Sequence, residues 1–206
     1  MITRVLFFDI GNVLVPFDPQ IAIRELAGST PYSPEILTER LRRWRRISDF
    51  ECGMISTEQF FAELSAYLRL SGLSFERFAK IWSGIFMDEM LISSATLDSL
   101  RDNYRLVLIS NTNPLHFGFI RERFPRVGDF DDAVLSFQVG AMKPAREIFL
   151  NALQRSGCAP EESFFVDDIE DNVRGAQEVG IPGVRFKDEK QLLEALAKHG
   201  IHCGMK

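Results

Sequence analysis

Cysteine is scarce in this 206-residue chain: Cys52, Cys158 and Cys203 stand far apart and are odd in number. That excludes a disulfide framework and points to a reducing compartment, so the expected location is cytoplasmic. An excess of positive charge is also missing. Lys and Arg number 24 against 29 Asp and Glu, a formal net charge of −5, which argues against nucleic acid or an anionic membrane as a partner. Nor is there a long apolar run. Met1-Ile2-Thr3-Arg4 reads like the basic start of a secretory leader, but Asp9 interrupts the apolar stretch after four residues. No segment has the length of a membrane span. Repeats and low-complexity tracts are absent too.

What the chain does have is a set of short apolar runs that end in hydrophilic residues. Val5-Leu6-Phe7-Phe8 runs into Asp9, Leu106-Val107-Leu108-Ile109 into Ser110, and Phe164-Phe165-Val166 into Asp167-Asp168. Runs of four large apolar residues read as strands buried on both faces. A lone Asp after a strand is ordinarily a turn cap. Three strands ending this way, with Lys143 in the loop between the last two, make a site at the carboxyl edge of an open sheet. Strands are expected at 4–8, 105–110, 133–135, 163–166 and 183–186, with helices near 114–124, 145–156, 170–179 and 189–199. The alternation implies a parallel sheet with helices on both faces.

Between Asp18 and about Glu89 only helical patterns occur. Leu37, Leu41 and Trp44 recur at helical spacing. Ser56 and Gln59 form a capping box ahead of Phe60, Phe61, Leu64, Tyr67 and Leu68. Phe75, Phe78, Trp82 and Ile85 make another stripe, with Ser74 as its cap. The expected organisation is a split core, 1–17 with 90–206, carrying an all-helical cap at 18–89 after the first strand.

Asp9, Asp167 and Asp168 brought together repel one another without a counterion. Hard carboxylate oxygens suit Mg²⁺, which shares its coordination with water and substrate phosphate. Lys143, the Ser110 hydroxyl and the backbone N–H groups of Asn111 and Thr112 supply an anion cradle. Carboxylate, metal and phosphate site together point to phosphoryl transfer through an aspartyl-phosphate. Lys143 taken alone reads as a solvated surface Lys; the Gly140-Ala141-Met142 loop before it and Pro144 after it favour a fixed position.

Four motifs in order resemble the haloacid dehalogenase-like (HAD) superfamily across essentially the whole chain: Val5 to Val13 around Asp9, Leu108-Ile109-Ser110-Asn111, Lys143-Pro144, and Phe165-Val166-Asp167-Asp168 through Asn172. Asp9-x-Gly11-Asn12-Val13, Ser110-Asn111-Thr112-Asn113 followed by Leu115-His116, and Glu51-x-Gly53-x-Ile55-Ser56 are similar to the bacterial α-D-glucose-1-phosphate phosphatase group. The resemblance implies a Rossmann-like doubly wound core of α/β class with a small helical cap of the type in subfamily IA. It implies Asp9 as nucleophile and metal ligand, the Gly11 carbonyl and Asp168 as further ligands, and Asp167 ligating directly or through water. Ser110, Asn111, Thr112 and Lys143 then hold the phosphoryl group, and Asn172 ties down the acidic loop. The implied cofactor is Mg²⁺, the partner a small phosphorylated metabolite, and the assembly a monomer or homodimer.

Gly11 departs from the family pattern, in which a second Asp two residues after the nucleophile serves as general acid and base. Losing such an acid costs about a hundred- to ten-thousand-fold in rate. An anomeric phosphate needs less help, so Gly11 points to a sugar phosphate, the sugar 1-phosphate foremost. The alternatives are a haloacid dehalogenase, whose Asp9 attacks carbon, and a catalytically idle binding or regulatory module. His116 reads as a helix-surface or satisfied core His against a substrate-facing one. Asp18 reads as a helix cap ahead of Ile21, and Cys52 as a buried structural thiol. Arg40, Arg42, Arg43, Arg45 and Arg46 read as the solvated face of a helix, against attraction of anionic substrates. Glu51 and Arg45 are possible sugar contacts that no spacing rule supports.

Overall fold

The structure is a computed structural model and describes residues 2–204. Strand β1 (Val5–Phe8) leads into five helices: α1 (Pro19–Leu26), α2 (Pro34–Arg43), α3 (Arg46–Glu51), α4 (Thr57–Leu68) and α5 (Phe75–Ser83). Helix α6 (Ser94–Arg101) precedes β2 (Arg105–Ser110), α7 (Pro114–Arg123), β3 (Asp132–Leu135), α8 (Ser136–Val139) and α9 (Arg146–Ser156). The chain ends with β4 (Ser163–Asp167), α10 (Glu170–Glu178), β5 (Gly183–Arg185) and α11 (Glu189–Lys198). The expected strands and helices form within two residues of their expected limits. Helix α6 escaped the sequence reading because only Leu97 and Leu100 of it are buried, too brief a stripe to show a period.

The five strands are parallel in the order β3-β2-β1-β4-β5, a Rossmann-like doubly wound sheet. β1 lies at its centre and is buried throughout. Because side chains alternate along a strand, Leu6 and Phe8 join Leu108, Phe164 and helices α6, α7 and α11 on one face. Val5 and Phe7 join Val107, Phe165 and helices α9 and α10 on the other. Burying a Phe side chain contributes about 1.5–3 kcal/mol, and β1 buries two.

A third apolar cluster is built by residues of α1, α2, α3, α4 and α5, with Phe50, Phe60, Phe78 and Trp82 stacked or edge-on at its heart. Local signals set these helices. Ser56 Oγ accepts from Gln59 N–H at 3.2 Å while Gln59 Oε1 accepts from Ser56 N–H at 2.9 Å. Asp18 Oδ1 accepts from Gln20 N–H at 2.9 Å. The chain enters and leaves the helical block side by side: Asp18 N–H donates to the Ile85 carbonyl and Met87 N–H to the Pro16 carbonyl, both at 2.9 Å.

The arginine run does not form the single solvated helix face expected of it, because α2 ends at Arg43, Trp44 breaks the helix, and α3 starts at Arg46. Arg42 and Arg43 pair with Glu39, Arg46 with Asp49 and Glu63, and Arg40 lies between the Tyr32 and Tyr67 rings. Cys52 is half-buried rather than buried, because it follows the last turn of α3, where the chain turns toward solvent at Gly53 and Met54. No helix among the described residues is long and apolar enough to cross a membrane.

Candidate functional site

Parallel strands of this sheet deliver their carboxyl ends to one edge, and the expected site residues meet there. Asp9 follows β1, Ser110 ends β2 and Asp167 ends β4. The loop before α9 swings Lys143 beneath them, where its side chain is 1% exposed. Lys143 Nζ lies 2.7 Å from Asp9 Oδ1, 2.6 Å from Asp167 Oδ2 and 2.9 Å from the Ile109 carbonyl. Its three protons are therefore engaged. Lys143 is no surface cation; it holds two carboxylates at fixed distance. The Lys143–Pro144 peptide is cis.

The Asn111 side chain braces that loop. Its Nδ2 donates to the Lys143 carbonyl at 2.9 Å and its Oδ1 accepts from Lys143 N–H at 2.8 Å. Thr112 requires a correction. Its N–H donates to Ser136 Oγ at 2.9 Å, and Ser136 Oγ returns a bond to the Thr112 carbonyl at 3.0 Å. The anion cradle therefore loses that donor while Ser136 keeps it. No described residue bonds the Ser110 hydroxyl, which stays available to a ligand.

Asp167 is wholly buried and saturated: Oδ1 accepts from Ile169 N–H and Asn172, Oδ2 from Lys143 and Asn172. Asn172 thus pins Asp167, at 3.0 and 3.1 Å. Asp168 is more open and meets only the Asn12 amide, at 3.5 Å, through its side chain. Asn12, which adopts a left-handed backbone conformation and accepts from Phe17 N–H at 3.3 Å, was missed in the sequence. Its signal was the residue type, since Asn is enriched in that conformation.

Three carboxylates face one buried cation, and carboxylate oxygens of Asp9, Asp167 and Asp168 all lie within 4.8 Å of one another. Burial pushes Asp9 up to about 7, with Asp167 adding to the rise and Lys143 opposing it. Burial and the Asp167 charge also raise Asp168. Burial works against the Lys143 charge, but Asp9 and Asp167 outweigh it and the net shift is upward. An unbalanced set of hard oxygen donors with one member half-open fits a divalent cation of the Mg²⁺ type.

Above this edge lies a cavity of about 420 Å³ between the sheet and the helical block. Its floor is Ile10, Gly11 and Ser110 to Thr112; its walls are mainly apolar, with Ile23, Leu26, Ile47, Trp82, Ile85 and Phe86 prominent. A Cβ at Gly11 would stand 2.7 Å from the Phe17 ring, so Phe17 fills the space a side chain there needs. His116 lines the cavity as a satisfied residue. Its Nε2 lies 3.0 Å from the Trp82 carbonyl, which can only accept, so Nε2 carries the proton and Nδ1 accepts from Asn113 at 3.0 Å. Burial pushes this imidazole down to about 4. Glu51 also lines the cavity, and burial pushes its carboxyl up to about 7.

The chain is similar to known proteins in sequence and in fold. A family model described as haloacid dehalogenase-like hydrolase matches residues 3–180. The chain is 28% identical over 179 residues to a D-ribitol-5-phosphate phosphatase of Bacteroides thetaiotaomicron, covering 84% of this chain and 86% of that one. It is 24% identical over 185 residues to a sesquiterpene phosphatase of Aspergillus oryzae, covering 88% of each. A crystal structure of a HAD family enzyme from Bacteroides thetaiotaomicron, in complex with magnesium and inorganic phosphate, superposes with a TM-score of 0.78 at 27% identity, over 90% of this chain and 95% of that one.

Proposed function

We propose, from the premise that this chain belongs to the haloacid dehalogenase-like hydrolases, that it is a Mg²⁺-dependent phosphatase acting on a small phosphorylated metabolite. The observation that carries the reading is the Asp9–Lys143–Asp167 cluster beside a half-open Asp168 and an unengaged Ser110 hydroxyl. The phosphatases among its relatives, and the magnesium and phosphate held by the similar structure, support it.

In this reading Asp9 attacks phosphorus through a carboxylate oxygen, and water then hydrolyses the phospho-Asp9 intermediate. Lys143 keeps Asp9 oriented and limits its rise in basicity. Ser110 Oγ donates to the phosphoryl oxygens. Asp9, the Gly11 carbonyl and Asp168 would hold Mg²⁺, with Asp167 orienting Lys143 and Asn172 fixing Asp167. When bound, the metal neutralises charge on the transferring phosphoryl group. Residues 18–89 act as a cap that shields the reaction from water, and 1–17 with 90–206 as the core.

Two leaving-group classes compete. A sugar phosphate, the sugar 1-phosphate foremost, is supported by Gly11, which leaves the loop after Asp9 without an acid, since an anomeric oxygen needs less help from an acid than an alkoxide does. The ribitol phosphate named for one relative is a polyol phosphate of related chemistry. A phosphorylated apolar alcohol is supported by the mainly apolar cavity wall, several of whose polar side chains are already engaged: Gln20 donates to Thr38, Thr38 to the Pro34 carbonyl, and Arg42 to Glu39. A sesquiterpene phosphatase among the relatives accords with it.

The test is phosphate release from a panel of sugar 1-phosphates, sugar alcohol phosphates and alkyl phosphates, with Mg²⁺ and with EDTA, beside Asp9→Asn. Turnover lost in EDTA and in the variant is the expected outcome. Halide release from 2-haloacids that survives EDTA would instead establish the dehalogenase alternative. Binding of phosphate without turnover would establish an idle module.

A further inference from the structure

Resting on the phosphatase reading, we propose that Glu51, from the helical block, is the catalytic residue that protonates the departing oxygen in place of the side chain missing at Gly11. The loop that follows Asp9 cannot supply the group, because Phe17 stands 2.7 Å from where a Gly11 Cβ would lie. The donor must come from elsewhere around the cavity.

The titratable side chains lining that cavity are Arg42, Glu51 and His116. Arg42 is a cation paired with Glu39 at 2.9 Å. His116 gives its only proton to the Trp82 carbonyl and receives one from Asn113. Glu51 alone is free: among the described residues none donates to its carboxyl and none pairs with it. It closes α3 at the edge of the helical block that faces Gly11, Ser110 and Asn111 across the same cavity.

The seam is held close there. Gly53, two residues on, has φ +67° and packs so tightly that a Cβ would stand 2.1 Å from the carbonyl of Phe137, a residue of α8. Of the charged groups around α3, Asp49 and, on α4, Glu63 both pair with Arg46, Arg45 at the start of α3 is exposed to solvent, and α8 carries none. Burial among apolar walls raises the Glu51 carboxyl to about 7, which lets it hold a proton near neutrality and give it up.

The step balances within the chain and its substrate. An Asp9 oxygen forms a bond to phosphorus as the ester P–O bond breaks, and the bonding pair leaves on the ester oxygen. Glu51 transfers its carboxyl proton to that oxygen, releasing the alcohol and becoming carboxylate. In the second half, Glu51 takes a proton from the water that attacks phospho-Asp9. Asp9 is expelled as carboxylate, phosphate departs, and Glu51 is protonated again.

Leaving-group dependence tests this apart from a structural role. kcat/KM reports the first half-reaction and is measured with Mg²⁺ on hexyl phosphate, whose alkoxide needs a proton, and on 4-nitrophenyl phosphate, whose phenolate does not. The expected result is that Glu51→Gln lowers the hexyl value by about a hundred- to ten-thousand-fold and the 4-nitrophenyl value far less, with Glu51→Asp recovering part of the loss. Equal losses on both substrates, or no loss on hexyl phosphate, overturn the proposal. The wild type supplies a second reading that needs no variant: across aryl and alkyl phosphates of graded basicity, a shallow fall of log kcat/KM supports protonation and a steep one overturns it. Wild type that releases no phosphate from these esters or from the sugar 1-phosphates and sugar alcohol phosphates, or Asp9→Asn that keeps its rate, removes the phosphatase reading itself.

Discussion

A carboxyl set in an apolar wall costs stability, and the cost depends on pH. The folded value of Glu51, about 7, lies above the ordinary 4.5. Between these values the folded state keeps a proton that the unfolded chain has released, so stability falls as pH rises through that window. Glu51→Gln should therefore stabilise the protein at about pH 8, by up to about 3 kcal/mol, and change little at about pH 4. Urea unfolding at the two pH values checks it, and a difference of the opposite sign would count against burial as the cause. Gly11 and Phe17 give a second test at this scale. Gly11→Asp alone should cost about 1–3 kcal/mol by overpacking, and Phe17→Ala should recover part of it. Thermal melts of the two single variants and the double variant read the coupling directly.

Helix α10 and the Lys143 loop meet without clearance. A Cβ at Gly175 would stand 2.5 Å from the Pro144 carbonyl, and backbone cannot yield as a side-chain tip does. Gly175→Ala should lower stability by about 1–3 kcal/mol and reduce kcat by moving Lys143, with denaturant midpoints and steady-state rates as the measurements. Such contacts explain what the sequence showed and what it hid. The strands were legible because four buried residues in a row leave little choice of element, and Asp9, Ser110 and Asp167-Asp168 because each ends such a run. Lys143 was legible through the order of the motifs. Asn12, Ser136 and Phe17 were not, since their roles arise from neighbours distant in sequence or in the turn geometry. Ser136 meets Thr112 only after β3 pairs with β2. Helices α3, α6 and α8 were too short for a period to register.

Across the whole molecule the helical block meets the sheet and its helices at several places, three of them exacting. The paired linkers at 16–18 and 85–87 form one, His116 reaching the Trp82 carbonyl another, and Gly53 against Phe137 a third. Gly53→Ala carries both a left-handed backbone and a clash, so it should loosen the seam and raise KM by about tenfold or more, as expected for a loss of about 1.4 kcal/mol. Titrating substrate against rate checks this, and an unchanged KM would mean the block closes without that contact. The central strand has a different consequence. β1 is synthesised first, yet its partners are Arg105 to Leu108 and Ser163 to Val166, so the sheet waits for most of the chain, while the helices at 19–83 make contacts local in sequence. Local contacts form sooner than distant ones. Both tryptophans, Trp44 and Trp82, lie among those helices. Trp44 stacks on Phe60 and Tyr67 inside that block, whereas Trp82 also stacks on His116 of α7, so in a refolding experiment the Trp44 fluorescence of Trp82→Phe should recover ahead of the return of enzymatic activity, which needs β1 in place.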